Sequence, residues 1–224
     1  MRFPFGFYEA RLFSDRTEAG RRLAEELMAY KGKDVVVLAI PRGGVLVAVE
    51  VADVLNAPLD LVIPRKIGAP GNPELAIGAV AGGEVVINES IRAELGVTDN
   101  YLNAEVQRQL AEIDRRRRLY VGDKPPVDLA GKIGIIVDDG LATGYTAIAA
   151  VRAVRRAKPA KIVLAVPVAP PDTYRRLAGE VDEIVCLQTP EEFFAVGQFY
   201  ADFAQVSDGE VVDILRRYGE RHAG

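Results

Sequence analysis

Apolar residues along the chain follow two patterns, short unbroken runs and a recurrence at helical spacing. The helical recurrence is clearest at Ala19, Leu23 and Leu27, after a capping box formed by Asp15 and Glu18. The unbroken runs indicate strands buried on both faces, as in a parallel sheet; they span residues 35–40, 61–63, 133–137, 161–168 and 183–187. Because strands and helices alternate, the sequence predicts an α/β fold with a parallel sheet flanked by helices.

Turn residues and caps mark the remaining elements. Residues 76–80 and 84–87 flank a glycine turn and are typical of a hairpin. Further helices are predicted over residues 45–55, 90–95, 99–120, 146–156 and 172–177. No repeat or low-complexity linker interrupts the chain, so we expect one domain over residues 1–224. Its core would span 15–187, with a small aromatic hood over 188–206 and a C-terminal helix over 207–219.

Composition and charge exclude several classes of function. Apolar residues make up 49% and charged residues 27%, as in soluble globular proteins, and the net charge of -4 argues against nucleic acid as a partner. A single cysteine excludes an internal disulfide, and a single histidine, His222, makes histidine catalysis and zinc binding implausible. The N-terminus has no signal-peptide pattern and no apolar run is long enough for a membrane span, so we expect a cytoplasmic protein.

The most informative segment runs from Ile135 to Thr146. A buried strand ends in Asp138 and Asp139 and leads through a turn containing glycine and threonine into a helix. The carboxylates can accept hydrogen bonds from sugar hydroxyls or hold hydrated Mg²⁺. The turn offers free backbone N–H groups at the positive end of a helix, which suit a phosphate. Together they suit a sugar phosphate.

This segment resembles the phosphoribosyl pyrophosphate (PRPP) motif of type I phosphoribosyltransferases. The resemblance implies that the protein transfers 5-phosphoribosyl from PRPP to a nucleobase-like acceptor and releases pyrophosphate, and that it is a homodimer. Asp138 and Asp139 would bind the ribose hydroxyls. Mg²⁺ would be held mainly by the substrate, with these two carboxylates as the available protein ligands. The 5′-phosphate would lie in the loop formed by Gly140, Ala142, Thr143, Gly144, Tyr145 and Thr146. Gly140 departs from the motif, which usually has an aliphatic or small hydroxyl residue there.

A second loop, Pro41–Gly44, follows the first strand of the predicted sheet. Gly43 and Gly44 let the backbone approach a ligand closely, and Arg42 supplies a fixed cationic fork. In the family the corresponding loop binds pyrophosphate. The resemblance also implies a cis peptide bond between Pro41 and Arg42.

A third loop is predicted over residues 64–74, where two adjacent cations precede a stretch rich in proline and glycine. Arg65 and Lys66 would, with Arg42, stabilise the departing pyrophosphate and so form the catalytic set. The alternative is a solvated turn that carries two surface charges.

Four arginines end the long helix, and the family places a mobile lid at this point of the chain. Arg116, Arg118 and Tyr120 are therefore lid candidates. The alternative is a purely structural role, because cations are favourable at a helix C-terminus and Glu112 can pair with Arg116.

The aromatic segment 191–203 stands where the family has its base-specifying hood. Phe199 and Tyr200 could stack on a base, and Asp202 could accept a hydrogen bond from the edge of the base. A satellite hydrophobic cluster or a dimer contact is an equally valid interpretation of this segment.

The identity of the acceptor stays open at this point. Hypoxanthine and guanine members generally carry an aspartate at the position of Ala142, so its absence removes a general acid–base candidate and favours adenine- or orotate-type chemistry. A non-catalytic sensor of PRPP or nucleotides is the main rival. A phosphohydrolase with Asp138 as nucleophile is another, although it would need more metal-binding carboxylates.

Overall fold

The computed structural model describes residues 12–222 and contains two sheets with helices packed around them. The helices are Arg16–Glu26 (α1), Gly44–Leu55 (α2), Glu89–Glu94 (α3), Asp99–Val121 (α4), Tyr145–Arg156 (α5), Pro171–Ala178 (α6) and Asp208–Arg221 (α7). The strands are Val35–Ala39 (β1), Leu59–Leu61 (β2), Arg65–Ala69 (β3), Asn72–Ala81 (β4), Glu84–Ile87 (β5), Ile133–Val137 (β6), Lys161–Val168 (β7) and Glu183–Gln188 (β8). Short 3₁₀ turns cover Met28–Tyr30 and Val196–Phe199.

The larger sheet is parallel, with the strand order β2-β1-β6-β7-β8. Strands β1 and β6 are neighbours in register, with Ala39 opposite Val137. The loop after β1 and the acidic pair after β6 therefore leave the sheet side by side at its carboxyl edge, where open α/β sheets bind ligands.

Both faces of this sheet are covered by apolar side chains, which explains the unbroken apolar runs of its strands. Helices α1, α2 and α7 pack on one face, and α5 with the smaller sheet packs on the other. The smaller sheet is antiparallel, in the order β3-β4-β5, and α4 packs against its hairpin. No helix of the described chain is long and apolar enough to cross a membrane.

Several predicted boundaries were wrong. Strand β2 covers Leu59–Leu61, whereas the sequence pattern predicted residues 61–63. The segment 64–74, predicted as a loop, contains β3 and the start of β4. Its prolines and glycines conceal the strand, and irregular pairing at Gly68 accommodates them.

Helix caps were predicted more accurately. The Asp15 side chain accepts a hydrogen bond from the Glu18 amide and begins α1, although the helix ends at Glu26 and a 3₁₀ turn follows. Ser207 and Glu210 form a capping box that begins α7, the helix predicted over residues 207–219.

Candidate functional site

A cleft of about 540 Å³ opens at the carboxyl ends of β1 and β6. Its lining joins the loop after β1, the acidic pair, the β3–β4 hairpin and one face of α4. The polar residues on its wall are Arg42, Arg65, Lys66, Glu74, Glu105, Arg108, Gln109, Arg116, Asp138, Asp139 and Thr146. With Thr146 at the start of α5, the wall has five segments; four of them were predicted site segments, and the fifth, α4, is mostly new.

Another cavity, of about 470 Å³, lies between α4 and α7. Its buried carboxylate, Asp60, is already paired with Arg117 and with the amides of Leu61 and Val127. Asp60 therefore already has partners in that cavity, and among the described residues the predicted site segments meet in the cleft at β1 and β6.

The two carboxylates of the cleft are held differently. Asp138 Oδ1 accepts a hydrogen bond of 2.8 Å from the Asp139 amide. Asp139 Oδ2 accepts one of 2.7 Å from Arg16 Nε. Burial raises the pKa of Asp138 well above its usual range, and the neighbouring charge of Asp139 raises it further. Burial also raises the pKa of Asp139, but Arg16 opposes that shift. Arg16 therefore favours the ionised form of Asp139 and opposes the effect of burial.

Arg16 is a functional-site residue that the sequence analysis missed. Its side chain is only 9% exposed, its Nη1 donates to the Ala204 carbonyl at 2.9 Å, and its guanidinium lies 3.8 Å from the centre of the Phe203 ring. It therefore joins α1, the acidic pair and the hood. One signal was available: Arg16 is the first residue of α1, where the helix dipole disfavours a cation unless a tertiary partner compensates it.

Gly43 and Gly44 allow the loop after β1 to pack against the acidic pair. A Cβ atom at Gly43 would lie 1.9 Å from Asp139 Oδ2, and one at Gly44 would lie 2.9 Å from the Asp138 Cα. The close approach expected from these glycines is thus made to the protein's own carboxylates. The cis peptide bond expected between Pro41 and Arg42 is present.

Arg42 points its guanidinium toward the start of α7. Its Nη1 lies 3.7 Å from Asp208 Oδ1, and the same oxygen accepts a 2.6 Å hydrogen bond from the Tyr120 hydroxyl. The bond from Tyr120 lowers the pKa of Asp208, with Arg116 and Arg42 contributing. Because the Arg42 side chain is 31% exposed, it can still reach an anion in the cleft.

Arg65 and Lys66 lie at the start of β3, with Arg65 directed toward α4. Arg65 Nε donates to Gln109 Oε1 at 3.0 Å, and Gln109 Nε2 donates to Glu105 Oε1 at 2.7 Å. Gln109 and Glu105 are both buried. Burial, followed by the nearby Arg116, lowers the pKa of Arg65. The surface-turn alternative is therefore wrong for Arg65, whereas Lys66 is exposed at the rim of the cleft.

The loop before α5 is held by contacts from α6. Gly144 has a φ of +77° and begins the helix, and a Cβ atom there would meet the Thr173 methyl group at 2.8 Å. Thr173 Oγ1 donates to the Ala142 carbonyl at 2.7 Å, and Arg176 donates to the Thr143 carbonyl. Ala142 and Thr143 themselves are exposed, and Thr146 lines the cleft.

Gly140 departs from the usual motif for a steric reason. Its φ is +156°, and a Cβ atom would lie 2.6 Å from the Val196 side chain and 3.0 Å from that of Val168. The hood thus occupies the space that a side chain at this position would need.

The lid candidates are not part of a loop. Helix α4 is continuous over Asp99–Val121. Tyr120 is buried and bonded to Asp208, which contradicts a lid role for it. Arg118 lies outside the cleft wall, and its lid role stays a prediction. Arg116 does line the cleft, and its Nε donates to Glu112 Oε1 at 2.8 Å.

Glu112 forms ion pairs with both Arg115 and Arg116, and these are expected to make the stability of the fold depend on pH. Hydrogen bonds from Arg115 and Arg116 lower the pKa of Glu112 to about 2. A depressed pKa in the folded state means that the stabilisation is complete above the unfolded value of about 4.5 and is lost as the pH falls toward 2. The free energy of unfolding measured in urea should therefore fall more steeply over this pH range for wild type than for Glu112→Gln. Exposed Glu94, which makes no ion pair in the described chain, is the control, and parallel curves for wild type and Glu112→Gln would contradict the expectation.

The interpretation of Phe199 and Tyr200 as base-stacking residues is wrong. They are 5% and 2% exposed, pack with Phe13 and Val168, and form the satellite hydrophobic cluster that was the alternative. The Tyr200 hydroxyl donates to the Asp139 carbonyl at 2.6 Å, so this cluster supports the acidic pair from behind. Asp202 is exposed, lies outside the cleft wall and accepts a hydrogen bond from the Ala204 amide.

The exposed aromatic residue of the hood is Phe194, which is 89% exposed. Gln198 Oε1 accepts hydrogen bonds from the amides of Phe194 and Ala195, and its Nε2 donates to the Glu192 carbonyl. This side chain therefore fixes the turn that presents the Phe194 ring. Aromatic content alone did not distinguish Phe194 from its buried neighbours.

Comparison with known proteins identifies relatives along nearly the whole chain. The sequence profile described as phosphoribosyl transferase domain matches residues 14–204. Two Mycobacterium tuberculosis proteins, MT0597 and Rv0571c, are each 48% identical over 208 residues, and their names assign them provisionally as phosphoribosyl transferases. The match covers 92% of this chain but only 47% of each relative, so the chain spans about half the length of these curated proteins.

A solved structure has the same fold. The crystal structure of the protein TT1426 from Thermus thermophilus is 42% identical, superposes with a TM-score of 0.77, and is matched over 92% of this chain and 98% of its own.

Proposed function

The chain belongs to the phosphoribosyl transferase domain family, and on that premise we propose that it transfers 5-phosphoribosyl from PRPP to a nucleobase-like acceptor. Its parallel sheet flanked by helices matches the fold that the sequence predicted, that of type I phosphoribosyltransferases. One observation carries the proposal: a single cleft is lined by a carboxylate pair, by Thr146 in the first turn of α5 and by several cations.

These three kinds of group match the three parts of PRPP, which are a ribose, a 5′-phosphate and a pyrophosphate. The loop Thr143–Thr146 would hold the 5′-phosphate through its backbone amides and threonine hydroxyls. Asp138 and Asp139 would face the ribose. Arg42, Arg65 and Lys66, with Arg116 beside them, would stabilise the pyrophosphate as its bond to the ribose C1′ breaks. The acceptor nitrogen would form the new bond to C1′, and the pyrophosphate would leave with the bonding pair.

The donor set of the cleft also fits a hydrated Mg²⁺ that the substrate brings with it. Within residues 12–222 no group of three metal-ligating side chains is clustered, and one oxygen of Asp139 is already bonded to Arg16. The remaining ligands would be Asp138, the diphosphate oxygens and water. Bound there, Mg²⁺ would neutralise charge on the leaving group.

For the acceptor we propose that Phe194 supplies the stacking surface of the hood. It is exposed and held in a fixed turn, and Val196, two residues on, lies against Gly140 next to the acidic pair. With Ala142 in the loop, no carboxylate is available there as a general acid or base. We therefore propose an acceptor that needs no proton transfer from that position.

Replacing Phe194 with alanine tests this contact. Stacking of a base on an aromatic ring contributes about 1–3 kcal/mol, so kcat/KM for the acceptor should fall by roughly tenfold or more. The KM for PRPP should stay unchanged. Leu119→Ala, at an exposed apolar residue of α4, is the control. Equal kinetics of Phe194→Ala and wild type would remove Phe194 from the site.

Pyrophosphate release across purines, pyrimidines and orotate tests the proposed reaction. Wild type should release pyrophosphate with at least one base in the presence of Mg²⁺ and PRPP. Asp138→Asn should be about tenfold or more slower, because the amide NH₂ cannot accept a hydrogen bond from a ribose hydroxyl. Asp34→Asn, at the opposite edge of the same sheet, is the control. PRPP binding without turnover on any base would support the rival proposal, a non-catalytic PRPP sensor.

We also propose that the protein works in the cytoplasm, as a homodimer, with its core, hood and last helix acting as one domain. The homodimer follows the family resemblance, whereas the location and the single domain rest on the sequence pattern. Analytical ultracentrifugation of the purified chain would measure its mass in solution.

A further inference from the structure

Two side chains of α6, those of Thr173 and Arg176, contact the loop before α5. Thr173 is 4% exposed and donates to the Ala142 carbonyl at 2.7 Å. Arg176 donates to the Thr143 carbonyl, and its guanidinium lies 5.1 Å from the centre of the Tyr145 ring. Neither residue lines the cleft, and neither lies in the PRPP motif.

Peptide planarity gives these contacts a consequence for ligand binding. The carbonyl of Ala142 and the N–H of Thr143 belong to one planar trans unit and point in opposite directions. The same holds for the carbonyl of Thr143 and the N–H of Gly144. When α6 binds both carbonyls, both N–H groups are turned away from α6.

These two N–H groups join the free donors of the following helix. The first intrahelical bond of α5 that reaches back to the loop is from the Ile148 amide to the Gly144 carbonyl, so the amides of Tyr145, Thr146 and Ala147 have no intrahelical acceptor. A row of amides with a common direction is an anion-binding arrangement.

We propose that Thr173 and Arg176 are positioning residues, which orient the Ala142–Thr143 and Thr143–Gly144 peptide units so that their N–H groups bind the phosphate of a 5-phosphorylated sugar. This inference rests on the proposed function, since the phosphate in question is that of the ribose. The Thr173 methyl group also lies close to Gly144, where a Cβ atom would be 2.8 Å from it, but the positioning role is assigned to the Thr173 hydroxyl. The hydrogen bond from Thr173 should contribute more than that from Arg176, because Thr173 is buried and Arg176 is exposed to solvent.

Ribose 5-phosphate is the probe, and isothermal titration of the full chain measures its affinity. Thr173→Val keeps the shape of the side chain and removes the hydroxyl donor, so the affinity should fall about tenfold, as expected for one lost orienting hydrogen bond. Thr173→Ser restores the donor and should bind within about twofold of wild type on the same scale. Arg176→Met should show a smaller loss, which Arg176→Lys restores.

A second measurement reports the orientation of the amides without ligand. The ¹⁵N–¹H residual dipolar couplings of Thr143 and Gly144 depend on the direction of each N–H bond. They should change in Thr173→Val and return in Thr173→Ser, while couplings within α5 stay constant. A merely stabilising role for Thr173 would lower the unfolding midpoint and leave these couplings unchanged.

The outcomes separate the two proposals. Unchanged affinity and unchanged couplings in Thr173→Val would overturn the positioning role and leave the proposed function standing. The opposite outcome is that the couplings change in Thr173→Val but wild type does not bind ribose 5-phosphate. That outcome would overturn the proposed function and with it the role in phosphate binding.

Discussion

Gly43→Ala is expected to abolish PRPP binding and to destabilise the fold by about 3 kcal/mol. Gly43 has a φ of −59° and a ψ of −39°, a right-handed conformation that alanine adopts readily, so the effect does not arise from the backbone. It arises from contact: the new Cβ atom would lie 1.9 Å from Asp139 Oδ2 and 2.8 Å from Arg16 Nε. The carboxylate would have to move by more than an atomic radius, and its buried ion pair would break.

Titration calorimetry with PRPP and Mg²⁺, together with urea unfolding, measures both effects. Gly219→Ala is the matched control, because Gly219 lies within α7 with open space around its Cα. There alanine should raise stability by up to about 1 kcal/mol, as in other helix interiors, and leave binding unchanged. Wild-type affinity in Gly43→Ala would show that the loop and the carboxylates are not coupled as the contacts indicate.

The second large effect is expected for Arg16→Met. Methionine retains most of the packing against Phe203 but leaves the Asp139 carboxylate, only 14% exposed, without its cation. Breaking a buried ion pair from one side typically destabilises by about 3–5 kcal/mol. The hood should also loosen, because the bond from Arg16 to the Ala204 carbonyl is lost with the charge.

The pH dependence identifies the cause. Burial raises the pKa of Asp139 and Arg16 opposes that shift, so removing Arg16 raises the pKa further. A carboxyl group with a raised pKa in the folded state destabilises the fold wherever it must ionise, which is at higher pH. The stability deficit of Arg16→Met should therefore be largest near neutral pH and shrink as the pH falls. Arg16→Lys should recover part of it. A deficit that is constant with pH would point to lost packing instead.

The acidic pair and the loop before α5 could be predicted because each is local. A buried strand, two acids and a turn with glycine and threonine occupy consecutive positions, and the parallel order of β1 and β6 then brings Arg42 to the same edge. Helix caps are local for the same reason. The cis peptide before Arg42 came from resemblance, and no residue preference would have indicated it.

The rest of the site depends on contacts that are distant in sequence. Arg16 and Asp139 are 123 positions apart, and Arg65 and Gln109 are 44 apart. No periodicity links such pairs. Helix α4 shows why the pattern of apolar residues did not predict these contacts. Glu105 and Gln109 are polar, yet they are buried, because Gln109 bonds to Arg65 and Glu105 bonds to Gln109.

The prediction of the base-stacking residues in the hood was wrong for a different reason. Phe199, Tyr200 and Phe194 are equally suitable for stacking as residue types, but only the turn fixed by Gln198 determines which ring is exposed. Burial of Tyr200 is explained by its hydroxyl, which finds an acceptor in the Asp139 carbonyl. Composition predicts that aromatic residues gather there and says nothing of the direction in which each one points.

The central claim is that the cleft at the ends of β1 and β6 binds a phosphorylated ribose through Asp138 and the loop before α5. The most direct measurement is isothermal titration of PRPP with Mg²⁺ against wild type, Asp138→Asn and the control Asp34→Asn. We predict saturable binding to wild type and to Asp34→Asn, and an affinity about tenfold or more lower for Asp138→Asn, whose NH₂ group cannot accept a hydrogen bond from a ribose hydroxyl in a buried site. Equal affinities of wild type and Asp138→Asn would contradict the claim.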